Sequence, residues 1–129
     1  MLDLRLKRLT FSKEADNFLR LMKSRTGITP NLLCRIAFCI SLEEKGVPDP
    51  GKYAEDSDRE INRYTLLGEY ESVLLSLLRQ RLARDGIEVA NVDDMFRAHM
   101  NRGVIILAGR LKGIDEMHAL VTEAARAVS

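Results

Sequence analysis

The chain has 129 residues, of which 46% are hydrophobic, which is enough for one domain with a single core. Aromatic residues make up only 5% and tryptophan is absent, so aliphatic side chains must form most of that core. No apolar stretch approaches the roughly 20 residues that cross a bilayer, and charges interrupt the opening MLDLRLKRL, which argues against a signal peptide. We therefore expect a single domain over residues 1–129, located in the cytoplasm and without a membrane partner.

The formal net charge is only +1, but the charges are unevenly distributed. Residues 1–35 carry eight Lys or Arg against three Asp or Glu, whereas residues 43–60 carry three basic against seven acidic residues. Such polarity is typical of a protein that binds a polyanion, although an ordinary solvated surface explains it as well.

The N-terminal quarter predicts a strand followed by a helix. In LDLRLKRL, leucines at positions 2, 4 and 6 alternate with polar residues, which is the period of a half-buried strand. Ser12 then offers a helix cap, and apolar residues follow at helical spacing from Ala15 to Met22. This first helix should end near Arg25, with Gly27 as its stop signal.

A second helix should begin at Thr29 and Pro30, where the cap and the missing proline N–H are both favourable. Its sequence, NLLCRIAFCISL, places apolar residues on every side. A helix that is apolar all round must be buried, and in so short a chain a subunit interface is the more economical explanation.

The remainder is predicted to be an acidic loop followed by helices. Glycine and proline break the chain between Gly46 and Gly51, and the loop extends through residues 46–60. Residues 61–67 suit either a short strand or a helix start. Further helices are expected over 69–84, 91–110 and 114–127, and Gly103 is expected to bend its helix or to allow close packing.

The order strand, helix, Gly-Ile-Thr turn, helix over residues 1–45 is that of a ribbon-helix-helix unit, in which the strand pairs with a second chain. The N-terminus of the second helix presents free N–H groups that suit a phosphate, with basic residues just before it. Phosphate contacts would position DNA without reading its sequence. The same features also fit a plain cap beside solvated lysines, so both interpretations stay open.

Four stretches resemble the DndE family, small proteins of the bacterial DNA sulfur-modification (phosphorothioation) system. They are KSRTGITPNLLCRIAFCISLE (23–43), RLTFSKEADNFLRL (8–21), INRYTLLGEYESVLLSLLRQRL (61–82) and HMNRGV (99–104). The resemblance implies a homo-oligomer, with a tetramer as the expected form, that binds double-stranded and preferentially nicked DNA through surface lysines. It also implies partners: a cysteine desulfurase, an ATP-pyrophosphatase-like sulfur-transfer protein and an SMC-type ATPase.

The basic residues around these stretches are the candidates for contacting DNA. The primary set is Lys7, Lys13, Lys23 and Arg25, with Arg5 and Asn31 as secondary members.

Catalysis is not expected. Cys34 and Cys39 lie in the most apolar segment, where burial favours packing over a reactive thiolate, although Arg35 beside Cys34 could lower a thiol pKa in a cleft. We expect Arg35 instead to pair with Glu69 or Glu71, or with a carbonyl across a subunit interface. The two histidines lack metal-site spacing, so no metal, cofactor or catalytic residue is predicted.

The sequence therefore predicts a mainly α-helical, homo-oligomeric domain with a short N-terminal strand and a ribbon-helix-helix-like N-terminal unit. The predicted function is that of a non-catalytic DNA-binding accessory protein in phosphorothioation. Two alternatives remain: a ribbon-helix-helix transcriptional regulator that reads bases, and a protein-only adaptor of the modification complex.

Overall fold

The structure, a computed structural model, describes residues 4–128 and is mainly helical. In chain order its elements are β1 (Arg8–Thr10), α1 (Lys13–Thr26), α2 (Pro30–Glu43), β2 (Glu60–Asn62), α3 (Arg63–Leu67), α4 (Glu71–Asp85) and α5 (Val92–Val128). Short 3-10 turns precede β2, α4 and α5. Residues 61–67, for which strand and helix were both open, contain the end of β2 and the whole of α3.

The first two helices begin and end as the sequence predicts. The Ser12 side chain accepts a hydrogen bond from the Ala15 N–H at the start of α1, and Gly27 ends it at a φ of 73°. Only glycine adopts that left-handed conformation without strain, so the chain turns here within three residues. Pro30 occupies the first turn of α2 as expected, but the Thr29 side chain makes no capping hydrogen bond. The predicted side-chain cap is therefore wrong, although the boundary is right.

The N-terminal strand is shorter than the alternation predicts. β1 pairs antiparallel with β2 of the same chain, with Leu9 opposite Ile61. Upstream of β1, the Arg5 N–H donates to the Asp93 carboxylate, and the Arg63 guanidinium donates to the Leu4 and Leu6 carbonyls. These side chains take the place of a neighbouring strand for residues 4–6, whose leucines still point inward or half inward. Residue 2 of the alternation lies outside the described residues.

The expected inter-subunit ribbon is not what β1 forms in this structure. Its partner is β2, about 50 residues further along the same chain. The only sheet within residues 4–128 has these two strands, so the N-terminal unit shares its element order, not its strand pairing, with a ribbon-helix-helix protein.

The two C-terminal helices predicted from the sequence are one continuous helix of 37 residues, α5. The sequence predicts a break before Ile114, at Gly113. A glycine inside a helix costs only about 1 kcal/mol relative to alanine, and α5 contains no proline to force an end. The prediction of a break at Gly113 was therefore wrong.

The core lies where α2 crosses α5. A Cβ added at Gly103 would lie 2.0 Å from the Ala37 carbonyl oxygen, so the absence of a side chain lets the two helices touch backbone to backbone. This confirms the close packing predicted at Gly103. Phe38 of α2 packs on Phe96 of α5 with ring centroids 5.1 Å apart, and the fully buried Phe11 belongs to the same core.

The segment 46–60 is irregular, as predicted, apart from a 3-10 turn at Pro50–Lys52 and the first residue of β2. Two of its acidic residues bind the residues around the start of α1. Asp56 accepts a hydrogen bond from the Lys13 N–H at the start of α1, and Glu55 accepts one from the Thr10 hydroxyl. These contacts hold the loop against the start of α1. Within residues 4–128, no helix is both long enough and apolar enough to span a membrane.

Candidate nucleic-acid interface

Three basic residues follow one exposed face of α1. Lys13 and Arg20 are seven residues apart, which places them within about 20° of each other around the helix axis. Lys23 is turned by about 60° from Arg20 and extends the same face. All three are exposed. Arg20 was not among the predicted site residues, although its seven-residue spacing from Lys13 could have identified it.

An arginine pair on one carboxylate supports this face. Asp16 is buried at 5% exposure, and its carboxylate accepts from both the Arg20 and the Arg59 guanidinium groups. The Arg20 side chain itself remains 66% exposed beyond this ion pair. One negative charge thus meets two positive charges.

Arg25 lies on the other side of α1. Two residues from Lys23 correspond to about 200° around the helix, so Arg25 turns toward α5. There its guanidinium approaches the Asp115 carboxylate at 3.4 Å, with both side chains more than half exposed. Exposed pairs of this kind contribute roughly 0–1 kcal/mol, so Arg25 can exchange its partner readily.

Arg5 and Lys7 lie far from α1's last turn. Arg5 is held beside Asp93, whereas Arg25 is held beside Asp115, and both acids belong to α5. The 22 residues between them correspond to about 33 Å along the helix. The six predicted site residues therefore do not form one cluster: Lys13 and Lys23 share a face, Arg25 turns away from it toward α5, and Arg5 lies at the start of α5.

Asn31 is half-buried in the first turn of α2, four residues after Gly27, which caps the C-terminus of α1. Because Thr29 does not cap α2, the first N–H groups of this helix have no side-chain acceptor from that residue. The positive end of α2 thus lies just beyond the last turn of α1, which carries Lys23.

The hydrogen-bond partners of Arg35 differ from those that the sequence predicts. Its Nε donates to the Leu66 carbonyl at 2.7 Å and a terminal nitrogen donates to the Thr65 carbonyl at 3.1 Å, both in the same chain. These carbonyls end α3 and lack partners within that five-residue helix. Glu71 instead pairs with Arg63 at 3.0 Å. The prediction of an acidic or inter-subunit partner was wrong because a short helix end needed a donor.

The two cysteines lie in apolar surroundings. Cys34 is fully buried, and burial raises its pKa to about 12. Cys39 is half-buried, and burial followed by the nearby Glu43 charge raises its pKa as well. Neither thiol is poised as a thiolate near neutral pH. Among residues 4–128, no group of three or more His, Cys, Asp and Glu side chains is arranged to hold a metal ion.

An apolar groove of about 510 Å³ separates α2 from α4 on the opposite side from the buried face of α2. Leu32 and Ile36 of α2 are 46% and 40% exposed, so α2 is not covered on all sides within one chain. Tyr70, Val73 and Leu77 line the facing side. We call this set of five residues the α2/α4 face.

Comparisons with known proteins place the chain in a family. The family model described as DNA sulphur modification protein DndE matches residues 8–114. The crystal structure of DndE from Escherichia coli B7A, described as involved in DNA phosphorothioation modification, is 25% identical with a TM-score of 0.67. That comparison covers 81% of this chain and 99% of the other.

A second crystal structure, of a DndE mutant with glycine-to-lysine changes, is 24% identical with a TM-score of 0.63 and shows the same fold. Its coverage is again 81% of this chain and 99% of that one. No curated protein matches the sequence. Since the family model spans most of the chain, the protein belongs to the DndE family of DNA sulphur modification proteins.

Proposed function

We propose that this protein is a non-catalytic, DNA-binding accessory protein of the phosphorothioation system. It binds the backbone of double-stranded DNA, prefers nicked DNA, and works in the cytoplasm as a homo-oligomer, in the form of a tetramer. It positions DNA for the sulfur-transfer protein and the SMC-type ATPase. Membership of the family supports the link to DNA sulfur modification.

The observation that carries the proposal is the basic face of α1 beside the N-terminus of α2. Lys13 and Lys23 are ten residues apart, which corresponds to about 15 Å along the helix. A duplex strand advances about 3.4 Å per phosphate, so this face matches a track of about four base pairs. Flexible, exposed basic side chains on such a track suit phosphate contacts and carry little sequence information.

The α2/α4 face supports the oligomer. A contiguous exposed apolar surface on a small domain is typical of an interface, and the family match extends over both helices. The same face would serve a protein partner if the protein were an adaptor, and DNA binding separates that alternative from the proposal.

The absence of catalysis is part of the proposal. Burial leaves Cys34 without the thiolate that sulfur transfer needs. Cys39 is the more accessible thiol, and its replacement by alanine should leave both folding and DNA modification in cells unchanged. Lost modification with normal folding would contradict a non-catalytic role.

Replacing Lys13, Arg20 and Lys23 together by glutamate tests the surface. We expect binding to nicked duplex to fall by at least tenfold in a gel-shift titration, because three phosphate contacts become repulsions. The matched control changes Lys45, Lys52 and Arg79 to glutamate. These three residues are also exposed, and none belongs to α1 or the α2/α4 face.

The control variant carries the same change in net charge, so it should retain most of the binding. Equal losses in the two triple variants would mean that only net charge matters and would contradict the assigned face. Sedimentation of each variant checks that the oligomer stays intact.

A further inference from the structure

The C-terminal part of α5 is an amphipathic helix that continues beyond the residues matched by the family. The family model ends at residue 114, whereas α5 continues to residue 128. We call residues 112–128 the α5 tail. At about 1.5 Å per residue the tail is about 25 Å long.

A heptad pattern runs through α5 and into the tail. Its members alternate at three- and four-residue spacing: Val104, Leu107, Leu111, Ile114, His118, Val121 and Ala125. The first two are buried in the body of the protein, and Leu111 is half-buried. Ile114 and Val121 are then 61% and 62% exposed, and Met117 beside them is 66% exposed. A stripe that forms core at one end therefore remains uncovered at the other.

The charges of the tail argue against DNA or a membrane surface as the occupant. Lys112 and Arg126 are outnumbered by Asp115, Glu116 and Glu123, so the tail carries a net charge of −1. Helices that bind phosphate backbones or anionic lipids carry an excess of basic residues on the polar face. A protein surface with its own apolar stripe is the fitting occupant.

The pattern is complementary to itself in the antiparallel direction. One antiparallel register aligns each residue with the partner residue whose number brings the sum of the two to 239. In this register Ile114 faces the partner subunit's Ala125, and His118 faces the partner subunit's Val121. Every core layer then joins two heptad positions, which is the requirement for interlocking side chains.

Orientation also favours the antiparallel pair. The heptad stripe lies against the body of its own chain up to Leu111. Two tails paired in parallel would place both bodies beside the same stretch of the stripe. In the antiparallel arrangement, the end of each tail instead approaches the base of the other.

A groove lies at that base. It has a volume of about 300 Å³ and lies between α1 and α5. Phe18, Leu21, Leu111 and Ile114 line it beside the Arg25–Asp115 ion pair, and Leu21 is 45% exposed. The groove is continuous with the stripe, so a partner tail can cover both together.

We propose that the α5 tail pairs antiparallel with the tail of a second copy of this chain. This interface is separate from the α2/α4 face and from the basic face of α1.

Disulfide trapping in the full-length chain tests the pairing. Cysteines introduced as Ile114→Cys and Ala125→Cys in one chain, on a Cys39→Ala background, should give a covalent dimer on mild oxidation. Each single variant should not, because its two copies of the cysteine would lie about 16 Å apart along an antiparallel pair, beyond disulfide reach. Cross-linking by the single variants would indicate parallel pairing and overturn the proposal.

The matched control is Glu116→Cys with Glu123→Cys. These two positions are also aligned in the antiparallel register, but they lie on the outer face of the pair. The yield of covalent dimer should therefore be at least fivefold lower. Equal yields from the two double variants would indicate random collision and overturn the proposal.

Further substitutions in the trapping variant test whether the tail interface is specific and independent of the α2/α4 face. Adding Val121→Glu to the trapping variant should abolish the covalent dimer, whereas Ala119→Glu, on the outer face, should not. Adding Ile36→Asp should leave the dimer in place, because the tail does not depend on the α2/α4 face. Loss of the dimer there would overturn an independent tail interface, whatever the outcome of the DNA-binding tests.

Discussion

At the scale of single residues, three arginines donate to backbone carbonyls at helix ends. Arg81 donates to the Leu42 and Glu44 carbonyls, and Arg102 donates to the Ser41 carbonyl, which together satisfy the C-terminal end of α2. Arg35 does the same for α3. Every residue has a backbone carbonyl, so the sequence does not distinguish the carbonyls that accept from Arg35, and its partner could not be predicted.

Gly103 gives the sharpest prediction at this scale. Gly103→Ala should lower the free energy of unfolding by about 2 kcal/mol or more, because the new methyl group would meet the Ala37 backbone at 2.0 Å. Gly109→Ala is the control, since nothing lies within 4 Å of its added Cβ. There the change should raise stability by up to about 1 kcal/mol. Urea unfolding measures both; a neutral Gly103→Ala would contradict the helix contact.

His99 predicts a pH dependence of stability. It is fully buried, and burial, followed by the Arg102 and Arg81 charges, lowers its pKa to about 4 despite Asp85 and the Ser41 hydrogen bond. The Arg102 Nε–H donates to the Ser41 oxygen, so the hydroxyl is left to donate to His99 Nδ1. The unfolded chain binds a proton below about pH 6.5 and the folded chain does not.

Stability is therefore full above about pH 6.5 and falls as the pH drops toward 4. Between pH 7 and 5 the loss from His99 should be about 2 kcal/mol by urea unfolding. His99→Gln should remove that part of the pH dependence. An unchanged pH dependence in His99→Gln would show that His99 is not the titrating group.

At the scale of elements, local signals determined α1 and α2 well. Ser12, Gly27 and Pro30 act within one turn of themselves, so their effect is visible in the sequence. The division of α5 at Gly113 failed because a glycine inside a helix costs only about 1 kcal/mol and α5 contains no proline. The predicted length of the first strand was wrong for a different reason. The side chains of Asp93 and Arg63, which are distant in sequence, form hydrogen bonds with the backbone of residues 4 and 5, before β1 begins.

The α2/α4 face carries the prediction at this scale. Ile36→Asp should lower the oligomeric mass measured by sedimentation while leaving the chain folded, because Ile36 is already 40% exposed within one chain. Val89→Asp is the control: Val89 is 53% exposed and lies in the turn before α5, away from this face. An unchanged mass for Ile36→Asp would remove the face from the oligomer interface.

At the scale of the whole molecule, the fold brings only part of the predicted site together. Lys13 and Lys23 could be placed on one helix face from their spacing alone, and Arg20 joins them by the same rule. Arg5 and Lys7 could not be placed, since their position depends on the contact with Asp93 on α5. Helical spacing predicts relations within an element, whereas relations between elements need the tertiary structure.

The central claim is that the protein binds the DNA backbone and prefers a nick. The most direct test is a gel-shift titration of intact and nicked duplex of one sequence at several salt concentrations, with protein of known oligomeric mass. We predict tighter binding to the nicked duplex and a slope of log K against log salt of about −0.9 per phosphate contacted, near −3 for the three basic residues of α1. Equal affinity for the two duplexes would contradict the nick preference, and no binding at low salt would contradict the proposed function.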